Sequence, residues 1–414
     1  MAMDFAPLFR KDLPPPADPW TGFPEYNFTG GHQDPDSIPI EEISAAVTRV
    51  LAREGGTLAT YHLESGPLGY FPLREYIAAK LSERAGLHCD AGQVLVTSGS
   101  LQALDLANAV FLEPGDTVIV EAETYAGTLS RLRRCGVDWI GIGIDDEGLR
   151  TDELATALEA LEGRKVRPKY IYTIPTVQNP TGTVMSRERR LELLRVAGKY
   201  NVPIFEDDCY ADLLWDGERP PALRALDESG SVFYCGSFSK TLAPAMRVGY
   251  VVADWPVLSR MLSMKFDGGS GGLEQMVIAE YASAHFDAHV NALNKTLKAK
   301  CDAIVSALRE HFGAAAVFRV PRGGIFIWVT LPDAVDTSRL AEVALAEGVA
   351  INPGAEWSAD PQRGRHSLRL CFGNPSIETI REGIARLAKI CHRETGIPAL
   401  SANVAQPPIP LASG

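Results

Sequence analysis

The sequence has no surplus of basic charge. Its 40 lysines and arginines are outnumbered by 52 aspartates and glutamates, a net charge of −12, which argues against a nucleic-acid partner. It has no apolar run long enough to span a bilayer, and residues 1–10 lack an apolar core of signal-peptide length. It lacks paired cysteines: Cys89, Cys135, Cys209, Cys235, Cys301, Cys371 and Cys391 are scattered, odd in number, and form no CxxC. That pattern speaks against a disulfide framework or a structural zinc site and for a reducing compartment. Low-complexity segments and internal repeats are missing as well. What is present is ordinary globular composition, 46% hydrophobic and 22% charged over 414 residues, enough for a large domain plus a smaller one. The expectation is a soluble cytoplasmic protein that engages neither membrane nor nucleic acid.

The chain opens on a proline-rich stretch, with Pro14, Pro15, Pro16 and Pro19 before Trp20, which predicts an extended arm rather than a helix. Short apolar runs then alternate with amphipathic ones. Strands are expected at 94–97, 117–121, 139–144, 170–174, 203–206, 232–236 and 248–253, with helices at 101–111, 152–161 and 187–200 among them. This alternation implies an α/β fold whose mostly parallel sheet is covered on both faces. Beyond residue 273 the pattern changes. A helix at 288–312 leads to strands at 317–320 and 325–331, a helix at 338–347, a strand at 368–371 and a helix at 377–391, which suggests a smaller α+β domain. The expected division is 1–54 as an arm and part of the small domain, 55–285 as the large domain, 286–400 as the small domain and 401–414 as a flexible tail.

Four motifs sit at strand ends. Thr97-Ser98-Gly99-Ser100 closes a strand and opens a helix, where free amides and small hydroxyls suit a phosphate. Asn179-Pro180-Thr181-Gly182 follows the 170–174 strand, and Phe205-Glu206-Asp207-Asp208-Cys209-Tyr210 brings carboxylates to the sheet edge where open α/β sheets bind ligands. Gly236-Ser237-Phe238-Ser239-Lys240 ends another strand, with Arg247 seven residues after the lysine. Singly, each has a plain structural reading: an N-cap, a common loop, an acid capping the next helix, a surface lysine. Their fixed order at successive strand ends outweighs those readings.

Together with Gly30-Gly31, Tyr61, Glu121-Ala122-Glu123-Thr124-Tyr125, Gly323-Gly324-Ile325-Phe326-Ile327-Trp328 and Arg369, these motifs cover roughly residues 26–391. The chain resembles the fold-type I, pyridoxal-phosphate-dependent aminotransferases of class I/II, nearest the 2-aminoadipate/kynurenine branch. The resemblance implies a large domain with a mostly parallel sheet of the seven-stranded type. It implies that Lys240 forms the Schiff base with the cofactor and shuttles the substrate proton. Asp207 would pair with the pyridine nitrogen, and Asn179 and Tyr210 would hydrogen-bond the ring hydroxyl. The phosphate would lie on the amides of Gly99, Ser100 and Leu101, on Ser237 and Ser239, and on Arg247, whose planar fork binds phosphate bidentately. Tyr125 would stack on the ring. Arg369 would grip the substrate α-carboxylate with help from the Gly31 amide, and Asn179 would also contact substrate. Tyr61 would reach the phosphate of a neighbouring subunit, making the working unit a homodimer with shared sites.

The implied reaction is transfer of an amino group from an L-amino acid to a 2-oxo acid, 2-oxoglutarate being the expected acceptor. A second reading keeps the cofactor but ends in oxidation, cyclisation or elimination. A third, an effector module of a transcription regulator, would need a basic helix-turn-helix ahead of the motifs. Cys209 departs from the proline frequent in relatives and reads as a small packed hydrophobe. Leu101 stands where relatives often carry glutamine. His285 and His289, at i, i+4, lack a third ligand and a flanking glutamate, so they read as a solvated helix face rather than a zinc site. Arg131, Arg133 and Arg134 read the same way.

Overall fold

The computed structural model describes residues 3–398 except 12, 14 and 15; Pro14, Pro15 and the expected tail at 401–414 lie outside the described residues. Seven strands build the central sheet: β1 Val94–Thr97, β2 Thr117–Glu121, β3 Asp138–Ile142, β4 Ile171–Thr173, β5 Ile204–Asp207, β6 Val232–Ser237 and β7 Gly249–Val252. Their order across the sheet is β1-β7-β6-β5-β4-β2-β3. β7 runs antiparallel to both its neighbours, and the other pairs are parallel. The inner strands are almost wholly buried runs of valine, isoleucine and aromatics, as a sheet covered on both faces requires. Helices Ser100–Phe111, Ala126–Cys135, Thr151–Gly163 and Arg187–Lys199 provide that cover. The last is capped by Ser186, whose hydroxyl accepts from the Arg189 amide at 3.2 Å.

This topology places the chemistry. The parallel strands bring their C-terminal ends to one edge, and β7, entering from that edge, brings its N-terminal end there too. The loops after β1, β2, β4, β5 and β6 therefore meet the loop before β7.

The second part of the chain forms a four-stranded antiparallel sheet, in the order Val317–Phe318, Phe326–Thr330, Ser367–Cys371, Asn352–Pro353. Tyr26–Asn27 pairs in parallel with Val349–Ala350, and Tyr26 and Phe28 share one core with residues between Cys301 and Cys391. The helix expected at 288–312 begins at Gly272 and runs unbroken to His311. Its first half packs in the core that lies against β1, β6 and β7, and its second half in the core built with Tyr26 and Phe28. The strand expected at 317–320 stops at Phe318; Val320 is exposed and precedes Pro321, which has no amide to continue a ladder. In the arm, Trp20 and Phe23 are exposed and meet edge to face at 6.1 Å.

Candidate active site

A cavity of about 350 Å³ opens where the loops converge. Of the residues singled out in the sequence, Gly31, Ser100, Leu101, Tyr125, Asn179, Asp207, Tyr210, Ser237, Ser239, Lys240, Arg247 and Arg369 line it. Gly99 and Tyr61 do not. Gly99 has φ +81° and lies under the Arg247 guanidinium, where a Cβ would collide with Nη2. Only glycine admits both the left-handed turn and that approach. Tyr61 is 83% exposed and stands beside Gly268, away from the cavity of its own chain.

One end of the cavity is built for an anion. Helix Ser100–Phe111 starts there with its first-turn amides, and β7 crosses so closely that a Cβ on Gly249 would lie 2.6 Å from the Ser100 nitrogen. Arg247, at φ +53°, folds back over this turn. Its Nη1 donates to the Pro244 carbonyl at 3.1 Å and its Nη2 to the Ser98 carbonyl at 3.1 Å. Ser237 Oγ accepts from the Ser239 amide at 3.0 Å, closing the loop beneath.

Lys240 follows that loop. Its Nζ donates to the Gly31 carbonyl at 2.9 Å, and Gln33 Nε2 holds the Lys240 carbonyl. A Cβ on Gly31 would collide with Nζ, so the amine occupies space that a side chain at 31 would take. Burial lowers the Lys240 pKa from the ordinary lysine value; Cys371 opposes the shift and Arg369 adds to it. Asp207, at the end of β5, accepts from the Tyr172 hydroxyl at 2.7 Å. Burial raises its pKa, while bonds from Cys209 and Tyr172 pull it back. Cys209 is buried as expected. Its Sγ, that of Cys235 and an Asp207 oxygen lie within 4.8 Å of one another.

Arg369 lies at the far end, 2% exposed. Its guanidinium stacks 4.3 Å from the Trp357 ring and 4.7 Å from Phe326, and its Nη atoms reach only the Gly30 carbonyl, at 3.4 Å. Its Nε has no partner, and among the described residues neither Arg369 nor Arg247 pairs with a carboxylate. A buried cation without a counter-ion is costly, and the arrangement suits capture of an anionic ligand. Asn179 Oδ1 is likewise buried without a partner. Tyr125 lines the cavity, and Gly127 makes room for it: a Cβ there would lie 2.5 Å from the ring.

Sequence reasoning missed Asn352 and Trp357, which also line the cavity. Asn352 is opposite Arg369 in strand register, which only pairing reveals, and Trp357 accepts the Thr124 amide at 2.8 Å through its carbonyl. His285 and His289 are half-buried rather than fully solvated, both packing on Tyr281 at 5.4 and 6.0 Å between ring centroids. Arg131 pairs with Asp105 at 2.7 Å, and Arg133 lies over Trp139.

Known proteins agree with this geometry. Residues 21–387 match the model of the family described as aminotransferase class I and II. The chain is 36% identical over 372 residues to aromatic-amino-acid aminotransferase 1 of Thermococcus litoralis, covering 89% of this chain and 88% of that one. It is 33% identical over 368 residues to 2-aminoadipate transaminase of Thermus thermophilus, covering 88% and 89%. The crystal structure of Pyrococcus horikoshii kynurenine aminotransferase superposes with a TM-score of 0.84 at 35% identity, covering 91% of each chain.

Proposed function

The chain belongs to the aminotransferase class I and II family, and from that premise we propose how its residues divide the work. It is a pyridoxal-phosphate-dependent aminotransferase that moves an amino group from an amino acid to a 2-oxo acid. The cavity fits this cofactor. Arg247 rests only on neutral oxygens at the anion end, the carbonyls of Pro244 and Ser98 and the Ser239 hydroxyl, the buried Asn179 Oδ1 awaits a partner, and the Asp207 carboxylate lines the same cavity as the Lys240 amine. Ser100, Leu101, Ser237, Ser239 and Arg247, with Gly99 shaping the turn, would hold the phosphate. Tyr125 would cover one ring face, Asn179 and Tyr210 would bond the ring hydroxyl, and Asp207 the ring nitrogen. When bound, the cofactor supplies an aldehyde for the amino group and an electron sink for the carbanion.

The chain's own residues do the rest. Arg369 fixes the α-carboxylate, with Gly31 beside it, and so orients the substrate Cα toward Lys240. The Lys240 amine, kept neutral at lower pH than an ordinary lysine, takes the proton from Cα and returns it as general acid. Asp207 keeps its negative charge against the ring nitrogen, where positive charge is needed as the Cα proton leaves. The observation that carries this reading is the convergence on one cavity of the Lys240 amine, the Asp207 carboxylate, an anion turn and a buried arginine without a counter-ion.

The same reading makes the working unit a homodimer in the cytoplasm. Tyr61, exposed like Leu58 and Phe266, is free to enter a partner's site, and all seven cysteines are free. It divides the chain into a large lobe at 55–285 and a small lobe at 286–400 with part of the N-terminal segment. Aromatic amino acids, kynurenine and 2-aminoadipate are the first donors to test, with 2-oxoglutarate as acceptor. Equal amounts of glutamate and the donor's 2-oxo acid are expected. Release of ammonia or peroxide without any acceptor would overturn transamination.

A further inference from the structure

Glu121 has no place in the mechanism above, yet it is an almost wholly enclosed acid. It ends β2 and is 1% exposed. Every group that hydrogen-bonds its carboxylate is a neutral donor: Thr173 Oγ1 at 2.6 Å, Gln178 Nε2 at 2.9 Å and the Ile174 amide at 3.3 Å from both oxygens. Gln178 is the residue before Asn179. Its Nε2 also donates to the Glu123 carbonyl at 2.7 Å, while its Oε1 accepts from the Thr181 amide at 2.8 Å and the Thr181 hydroxyl at 2.7 Å. One side chain thus ties both flanks of the Asn179-Pro180 turn to Glu121.

The turn needs such a tie. Val177, a β-branched residue, is held at φ +56°, a conformation that persists only where its surroundings impose it. Asn179 itself is not anchored through its side-chain oxygen: the buried Oδ1 has no partner. The position of its amide is set by the backbone of the turn, which two backbone bonds close, from the Gln178 amide to the Thr183 carbonyl at 2.8 Å and from the Gly182 amide to the Gln178 carbonyl at 2.6 Å, and which the Gln178 side chain fastens to Glu121.

We propose that Glu121, acting through Gln178, is a positioning residue that aims the Asn179 amide at the cofactor's ring hydroxyl. This rests on the assignment of Asn179 to the cofactor and adds a residue of the neighbouring strand to the site's control. The chemistry predicts a specific failure. Glu121→Met, close in length, removes the acceptors facing Gln178, Thr173 and Ile174, leaves those buried donors unpaired and loosens the turn. Glu121→Gln keeps the tie: its amide oxygen can accept from Gln178 and Ile174 while its nitrogen donates to the Thr173 hydroxyl oxygen, which accepts as readily as it donates.

The test is a pH titration of the bound cofactor's absorbance in the holoenzyme, with cofactor affinity and kcat/KM measured alongside. An Asn179 amide bonded to the ring oxygen weakens that oxygen's hold on the neighbouring proton, so a displaced Asn179 moves the midpoint to higher pH. Glu121→Met is expected to raise the midpoint, weaken cofactor binding and lower kcat/KM about tenfold or more, as buried donors left unpaired imply. Glu121→Gln is expected to hold all three within about threefold of the parent, since only the Thr173 bond changes direction. Thr181→Ala, which loosens the other side of Gln178, should shift the midpoint in the same direction by less. An unshifted midpoint in Glu121→Met, or a Glu121→Gln variant no better than Glu121→Met, overturns the proposal. Should Glu121→Met fail to fold, Thr181→Ala decides it alone, an unshifted midpoint there overturning the proposal. Absence of any cofactor band in the parent protein would instead refute the cofactor assignment itself.

Discussion

Replacing Arg369 with methionine should separate binding from stability, because the two respond with opposite signs. The guanidinium is buried, makes contacts of 3.4 Å to a single neutral carbonyl, and leaves Nε unbonded. A substrate carboxylate would add two charge-assisted hydrogen bonds, each worth about 1.5–3 kcal/mol. Losing both costs about 3–6 kcal/mol, or roughly 10²–10⁴ in kcat/KM for an amino acid. In the ligand-free protein the balance reverses. Burying a cation without a counter-ion costs several kcal/mol. The rings of Trp357 and Phe326, at 4.3 and 4.7 Å, return part of this, about 1–3 kcal/mol together. Arg369→Met, close in volume, is therefore expected to raise the apoprotein Tm by a few degrees, at about 1–2 °C per kcal/mol for a chain of this length. The assay is steady-state kinetics with an L-amino acid and with the amine lacking its carboxylate, beside thermal melts without ligand. Equal losses for both substrates, or a lowered Tm with unchanged kcat/KM, would refute the carboxylate socket.

Other outcomes follow from the same structure. Asp207→Ala should lower kcat by about 10²–10³, the usual effect of removing an electrostatic stabiliser, with a smaller change in KM; an unchanged kcat would exclude its role at the ring nitrogen. Lys240→Met should abolish turnover and remove a pH slope in apoprotein stability. With the folded pKa below 10.5, the unfolded chain holds more protons in that window, so this group makes stability rise with pH there; denaturant midpoints across alkaline pH, parallel in variant and parent, would contradict it. Asp212 contacts Lys80 at 2.6 Å and both Arg84 and Arg219 at 3.0 Å; burial pushes its pKa up, but the three cations outweigh it and hold it below 3.8. Its stabilisation is full above that value and is lost as pH falls through the folded pKa, so Asp212→Ala should cost about 3–5 kcal/mol at neutral pH and flatten the acid limb. A urea midpoint unchanged at pH 7 would count against the network.

Much of the site was legible because its residues stand at strand ends. Ser98–Ser100, Asn179, Asp207 and Ser237–Lys240 each follow an apolar run, and a parallel sheet collects such ends at one edge. Arg369 was legible as a charge between Leu368 and Leu370. Asn352 and Trp357 were not, because Asn352-Pro353-Gly354 reads as an ordinary turn and only pairing with Ser367–Cys371 brings it to the cavity. The Glu121–Gln178 tie escaped for a similar reason: its partners are 57 residues apart and meet only when β2 and β4 pair. The start of the long helix escaped because Met276–Ala279 are buried all round, leaving no amphipathic period, and follow a glycine-rich stretch.

The central claim is that the cofactor is joined to the protein through the amine of residue 240. Borohydride reduction of the holoenzyme, followed by proteolysis and mass spectrometry, tests it directly. A pyridoxyl-phosphate mass confined to the peptide containing Lys240 is the expected result. The same mass on a different lysine, or cofactor released unattached after reduction, would contradict the account.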